Sequence, residues 1–293
     1  MDERTALRAI AAALPAAGDD AAVVDGTVVT TDMLHESTDF PAGTTRYTAG
    51  WRSVGASLSD VAAMGATATA AVAVYAAPAF DPAELDAFVR GARDVCEAVD
   101  AEYVGGDLDA HDEFTVATTA LGEAADPVRR SGASPGEAVC VTGTLGRSAA
   151  ALRFFERGDA DRGNELFRFE PRVAAGRALR GRATAMMDSS DGLARSLHQL
   201  SEASGCGFAV DGDRLPIDPS VEEVAADDRD ERERAVHFGE DFELVFTLPA
   251  DAYEAARGAS PTPITRIGRT TAEGTVTMDG TKLPDRGYTH ARS

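Results

Sequence analysis

The chain has 293 residues, 44% of them hydrophobic and 26% charged, which suits two compact domains and leaves no segment disordered on composition alone. Asp and Glu outnumber Lys and Arg by 49 to 28, a formal net charge of -21. A surface this acidic repels phosphate backbones and anionic lipid, so neither nucleic acid nor a membrane is an expected partner.

Lys282 is the only lysine, and an acidic surplus set almost entirely against arginine fits adaptation to high salt. The chain opens with Asp2 and Glu3, not the basic segment of a signal peptide. The most apolar stretch, 62–79, is mostly Ala and Thr and is too weak for a membrane span. Cys96, Cys140 and Cys206 lie far apart, with no C-x-x-C pair, so zinc and structural disulfides are not expected and a cytoplasmic location is.

In chain order, residues 28–31 read as a short buried strand ending in Asp32, and 46–64 as a helix. Its apolar stripe is Trp51, Val54, Leu58 and Val61, and Asp60 points away from that stripe. Residues 68–75 read as a small-residue strand. Asp81, Pro82 and Glu84 then give a cap, a first-turn proline and a capping box for a helix continued by Leu85, Phe88, Ala92, Val95 and Val99. Strands follow over 102–106 and 114–121, and Pro127, Gly132, Pro135 and Gly136 punctuate a boundary between domains at 1–136 and 137–293. The second half reads as a strand over 138–142, a glycine turn over 143–146, a helix to Phe155, a helix opened by Pro171, and a strand over 183–187 ending in Asp188. A helix over 193–203 follows, then a strand over 208–211, a charged segment over 218–234, and strands over 242–248, 264–268 and 275–278. Strands and helices mixed in both halves give an α/β or α+β fold of two domains.

The aspartates carry the chemistry. Asp32, Asp107 and Asp188 each follow an apolar strand, where open α/β sheets gather their ligands, and together they suggest a shared Mg2+ site. Singly, each also fits a cap or turn. Gly18-Asp19-Asp20, Ser59-Asp60 and Ser189-Ser190-Asp191-Gly192 add further clusters. A phosphate-binding G-x-x-x-x-G-K-[S/T] loop is impossible with one lysine at position 282. ATP chemistry would therefore rest on metal ions, main-chain N–H groups and arginines, and phosphoryl transfer needs little else. The turn Gly143-Thr144-Leu145-Gly146 could offer N–H groups to phosphate or be purely structural; Arg130 and Arg147 flank it and could touch phosphate, though Arg147 reads better as an exposed arginine. His111, His198, His237 and His290 form no metal-ligand or nucleophile spacing.

Seven motifs in order settle the resemblance: Gly18-Asp-Asp-Ala-Ala-Val23, Thr30-Thr-Asp-Met-Leu34, Leu58-Ser-Asp-Val-Ala-Ala-Met-Gly-Ala66, Gly105-Gly-Asp107, Val141-Thr-Gly-Thr144, Asp188-Ser-Ser-Asp-Gly-Leu193 and Gly239-Glu-Asp-Phe-Glu-Leu244. From Gly18 to Leu248 the chain resembles the thiamine-monophosphate kinase family, within the superfamily of aminoimidazole-ribotide synthetase (PurM-like). The resemblance implies a phosphotransferase that moves the γ-phosphoryl of ATP to the phosphate of thiamine monophosphate, with several Mg2+ ions and no protein base. By position it implies Asp20, Thr30, Thr31, Asp32, Asp60, Asp107, Asp188 and Asp191 as metal ligands, with Asp32, Asp60, Asp107 and Asp188 catalytic through the metal. Gly106, Asp107, Arg130 and Ser190 would contact ATP, and Glu240 the thiamine moiety. Asp39 and Tyr288 stand where the family often has His and Trp, and both are candidate substrate contacts. A homodimer is implied, with the N-terminal sheets of two subunits forming a barrel. The alternatives are another ATP-dependent enzyme of the superfamily or a non-catalytic nucleotide-binding relative. The reactive N-terminal cysteine of selenophosphate synthetase and the cysteine-bearing tail of the hydrogenase-maturation relative are both missing from this sequence.

Overall fold

A computed structural model describes residues 9–14 and 16–288, so Asp2, Glu3 and His290 lie outside the described residues. Alternating small and β-branched residues build the first sheet. Its elements in chain order are β1 (Ala22–Val24), β2 (Thr27–His35), helix α1 (Arg46–Ala63), β3 (Thr67–Ala77), helix α2 (Pro82–Glu97), β4 (Glu102–Ala110) and β5 (Thr115–Glu123). The sheet order is β1-β2-β5-β3-β4, with β3 and β4 parallel and the other pairs antiparallel. Both helices pack on one face. The other face leaves Met33, Val72, Val74 and Leu121 exposed.

The second half contains β6 (Ala138–Thr142), α3 (Arg147–Glu156), α4 (Ala160–Phe167), α5 (Val173–Leu179), β7 (Ala185–Asp188), α6 (Leu193–Ser204), β8 (Gly207–Val210), α7 (Asp228–His237), β9 (Leu244–Leu248), α8 (Tyr253–Ala259), β10 (Ile264–Thr271), β11 (Val276–Met278) and β12 (Thr281–Lys282). Its seven strands run β12-β11-β8-β10-β6-β9-β7. Alternate residues of these strands feed two cores. One holds Val139, Val141, Met187, Leu197 and Phe208. The other joins Cys140, Met186 and Phe246 to Val54, Leu58 and Phe88 of the first half, so one apolar core runs through both sheets.

Helix α1 is buried far beyond the expected stripe, with 14 of its 18 residues buried. It lies between the first sheet and the second half, touching α5 and β7, so it has no solvated face of ordinary width. Small residues permit this. A Cβ on Gly50 would meet the Phe88 carbonyl oxygen at 2.1 Å, and one on Gly91 the Tyr47 carbonyl oxygen at 2.0 Å. At the head of α2, Asp81 accepts from the N–H groups of Ala83 and Glu84 as expected, but the Glu84 carboxylate turns to Arg46 at 3.3 Å instead of completing a box. All three cysteines are buried and free.

Two strand ends differ from expectation. Strand β2 continues to His35, so Asp32 lies inside it, and β4 continues to Ala110, so Asp107 lies inside β4. Both extensions are held by main-chain pairing, Asp32 opposite Thr118 and Asp107 opposite Val74, where the side-chain pattern gives no strand signal. Asp188 does end its strand.

Candidate active site: a carboxylate cluster between the two sheets

Asp20, Asp60 and Asp188 arrive from three directions. Asp20 precedes β1, Asp60 sits in the last turn of α1, and Asp188 ends β7. One carboxylate oxygen from each falls within 4.8 Å of the others. Neighbouring hydroxyls fix them: Thr30 Oγ1 donates to Asp60 at 2.5 Å and Ser59 Oγ to Asp188 at 2.6 Å. Asp32 shares the Thr30 face of β2 and accepts from Ser57 Oγ at 2.7 Å. The Ser190 N–H donates to Asp188 at 3.3 Å.

Crowded anions out of water resist ionisation. Burial, then Asp32, Asp188 and Asp20, hold the Asp60 carboxyl well above the usual carboxylate range. Burial and Asp20 push Asp188 up to about 7 against the pull of Ser59 and Arg130. Arg130 forks onto Asp20, with Nε at 3.1 Å and Nη2 at 3.0 Å. Burial disfavours that guanidinium charge, and Asp20, Asp188 and Asp60 override it, raising its pKa. Asp19 completes the scaffold by accepting from the Arg130 N–H at 2.8 Å and Arg129 Nη1 at 3.0 Å.

A second group lies alongside. The Ser190 carbonyl accepts from the Glu240 N–H at 2.6 Å, clasping the loop after β7 to the loop before β9. Glu240 adopts φ 60°, and Arg52 Nη2 meets its carboxylate at 2.8 Å. Arg52 is 1% exposed, donates to the Phe167 carbonyl at 2.8 Å, and stacks 3.6 Å from the Phe167 ring centroid. Sequence reasoning missed Arg52; the available signal was that it is the one charge between Arg46 and Asp60 in the helix. The Tyr288 hydroxyl donates to Asp39 at 3.4 Å, so these two candidate substrate residues meet, and the Tyr288 N–H bonds the Asp191 carbonyl at 3.1 Å. The Asp191 backbone thereby joins this region to the cluster's loop.

Other motif acids are structural. Asp241 accepts from the N–H groups of Gly146 and Ser148, at 2.6 and 3.0 Å, and so caps α3. Glu243 takes both arms of Arg172, at 2.6 and 2.8 Å, and the Thr142 hydroxyl at 2.6 Å. The N–H groups of the 143–146 turn are spent on Pro263, Glu243, Pro216 and Asp241. That turn is structural and does not present a phosphate cradle. Arg147 is half-buried and binds the Leu166 carbonyl at 3.0 Å, a structural role in place of the exposed arginine expected.

Three candidates are not brought to the cluster within this chain. Thr31 points to the opposite face of β2 from Thr30, where its hydroxyl donates to the Thr118 carbonyl at 2.8 Å. Gly106 lines a cavity of about 430 Å³ between β3, β4 and α2, walled by Tyr75, Leu85, Phe88 and Tyr103. Pairing places Asp32, Thr118, Ala73 and Gly106 in one row across the sheet. Gly106 is thus three strand spacings, ~14 Å, from Asp32. Asp107, next in β4, pairs with Val74 and points to the open face.

The donor set is hard oxygen, compact and short of positive charge, with Arg130 the guanidinium that faces it. It fits Mg2+. The family description AIR synthase related protein, N-terminal domain, matches residues 18–124, and its C-terminal counterpart matches 134–280. The thiamine-monophosphate kinase of Halobacterium salinarum is 64% identical over 99% of this chain and 100% of that protein. That of Methanospirillum hungatei is 41% identical over 93% and 92%. The solved structure of AaThiL complexed with AMPPCP and TMP matches with a TM-score of 0.90 at 27% identity, covering 99% of this chain and 97% of that one. On its site, its two matched halves and these relatives, the chain belongs to the thiamine-monophosphate kinase family.

Proposed function

We propose that this chain transfers the γ-phosphoryl group of ATP to thiamine monophosphate, giving thiamine diphosphate and ADP, with Mg2+ held by Asp20, Asp60 and Asp188 and by the adjacent Asp32. The observation that carries the metal reading is the set of three carboxylates within 4.8 Å. Bound magnesium would supply charge neutralisation to the phosphates. The chain's own groups bind and orient. Thr30, Ser57 and Ser59 aim the carboxylates, Arg130 offers a fork that suits phosphate as well as Asp20, and the Ser190 loop lines the approach. Arg52 holds Glu240, and Tyr288 meets Asp39, beside that approach. The acceptor phosphate is ionised at neutral pH, so no protein base is required. The cavity beside Gly106, walled by aromatic side chains, suits the base of ATP.

The working unit in this reading is a cytoplasmic homodimer whose chains divide into 1–136 and 137–293. Beyond β1, strand β2 has a free edge, and β4 is the other outer strand. The face between them carries Met33, Val72, Val74 and Leu121, with Asp107 among them. Two such sheets closing face to face set β4 of one subunit beside β2 of the other, bringing the partner subunit's Asp107 to the seam beside Thr31 and Met33, the open-face neighbours of Asp32.

The test is chromatographic detection of thiamine diphosphate from ATP, Mg2+ and thiamine monophosphate. Asp60→Asn and Asp107→Asn should each lower turnover by about 10²-fold or more. Mixing the two inactive variants under exchange conditions should restore activity, because one site in each mixed dimer is intact. No recovery would place Asp107 in its own chain's site, and product formation that survives a chelator would remove the metal.

A further inference from the structure

A second cavity, of about 450 Å³, opens over the paired strands β8 and β10 of the second sheet, apart from the carboxylate cluster. Arg214, Arg266 and Arg269 line it, with Asp211 as its one acid. Residues three apart on a strand ordinarily face opposite sides. Here β10 bulges. Arg266 pairs with Cys140, and Gly268 pairs with the next residue of β6, Val139, leaving Ile267 as the extra residue. Arg269, opposite Ala138, thereby returns to the face of Arg266, while Ile267 packs fully buried in the other core.

The charges around the cavity are already sorted. Arg214 Nε holds Asp211 at 3.0 Å, and Arg232 holds the nearby Asp213 and Asp279 at 3.1 and 3.3 Å. Arg266 Nε donates to the Gly268 carbonyl at 3.4 Å. Neither Arg266 nor Arg269 pairs with a carboxylate among the described residues. In a molecule of net charge -21, two neighbouring guanidiniums without an acid partner stand out from the surface.

We infer that this cavity is an anion site for the diphosphate group of a small molecule. Two guanidinium forks on one face match two phosphoryl groups, since each fork can take a pair of oxygens. A space of about 450 Å³ exceeds one phosphate or carboxylate and suits a small phosphorylated compound. The acidic surface around it penalises an extended polyanion, whereas a diphosphate concentrates its charge on the two arginines.

The experiment is isothermal titration calorimetry of the full chain with inorganic pyrophosphate in EDTA, at the lowest ionic strength that preserves the native circular dichroism. Arg266→Gln/Arg269→Gln should bind about 100-fold more weakly than wild type, from the loss of two charge-assisted pairs. Its kcat and KM should not change. Arg269→Glu, a single change at an exposed position, should also abolish the binding and serves if the double variant melts early. Thiamine diphosphate and ADP as separate titrants identify which compound carries the diphosphate. Equal affinity in wild type and variants overturns the inference, as does wild type that ignores pyrophosphate but binds a decapeptide of glutamate.

Discussion

At the head of α3, Asp241 accepts two main-chain N–H bonds, yet burial outweighs them and pushes its carboxyl up to about 7 from 3.8. A folded pKa above the unfolded value means the native state binds the proton more tightly. The associated stability is fully present below pH 3.8 and is lost as pH rises through about 7. Asp241→Asn keeps the shape and one acceptor but cannot titrate. Wild type should lose on the order of 3 kcal/mol relative to this variant between pH 4 and 8, as read from denaturant unfolding. A constant difference across that range would refute the shift. Of the three cluster carboxylates, Asp188 was legible as a strand-ending aspartate, whereas Asp20 and Asp60 stood out only as the compact Gly-Asp-Asp and Ser-Asp clusters and were tied to the metal through the family resemblance. Arg52 was not, because its partners, Phe167 and Glu240, lie 115 and 188 residues away and only the fold brings them to it.

Helices α1 and α2 cross so closely that their glycines face carbonyl oxygens of the other helix, Gly91 against Tyr47 and Gly50 against Phe88. A methyl there must part the pair. Gly91→Ala should therefore destabilise the protein by about 3 kcal/mol, measured by urea unfolding, while kcat of the surviving folded protein stays near normal. A loss under 0.5 kcal/mol would mean that the crossing is looser than drawn. Helix α2 was readable from its Asp81 cap and heptad-like apolar spacing, and β6 from an unbroken apolar run. Strand β1, helix α4 and the far halves of β2 and β4 were not. In β4 the sequence Asp107-Leu108-Asp109-Ala110 carries no buried alternation, and pairing with β3 alone makes it a strand.

A net charge of -21 on 293 residues sets the behaviour of the whole molecule. Self-repulsion reaches ~8 Å at ~0.15 M salt and only ~3 Å at ~1 M. Both melting temperature and activity should rise as KCl is increased over that range. A monotonic fall in both would show that the acidic surface serves something other than salt tolerance. The apolar core that passes from Val54 and Leu58 into Met186 and Phe246 has a separate consequence for how the molecule comes apart. Two family modules match two stretches of the chain, but neither can melt without opening its neighbour's interior. Scanning calorimetry should therefore record one endotherm whose van't Hoff and calorimetric enthalpies agree per cooperative unit, and excised halves should expose enough oily surface to aggregate.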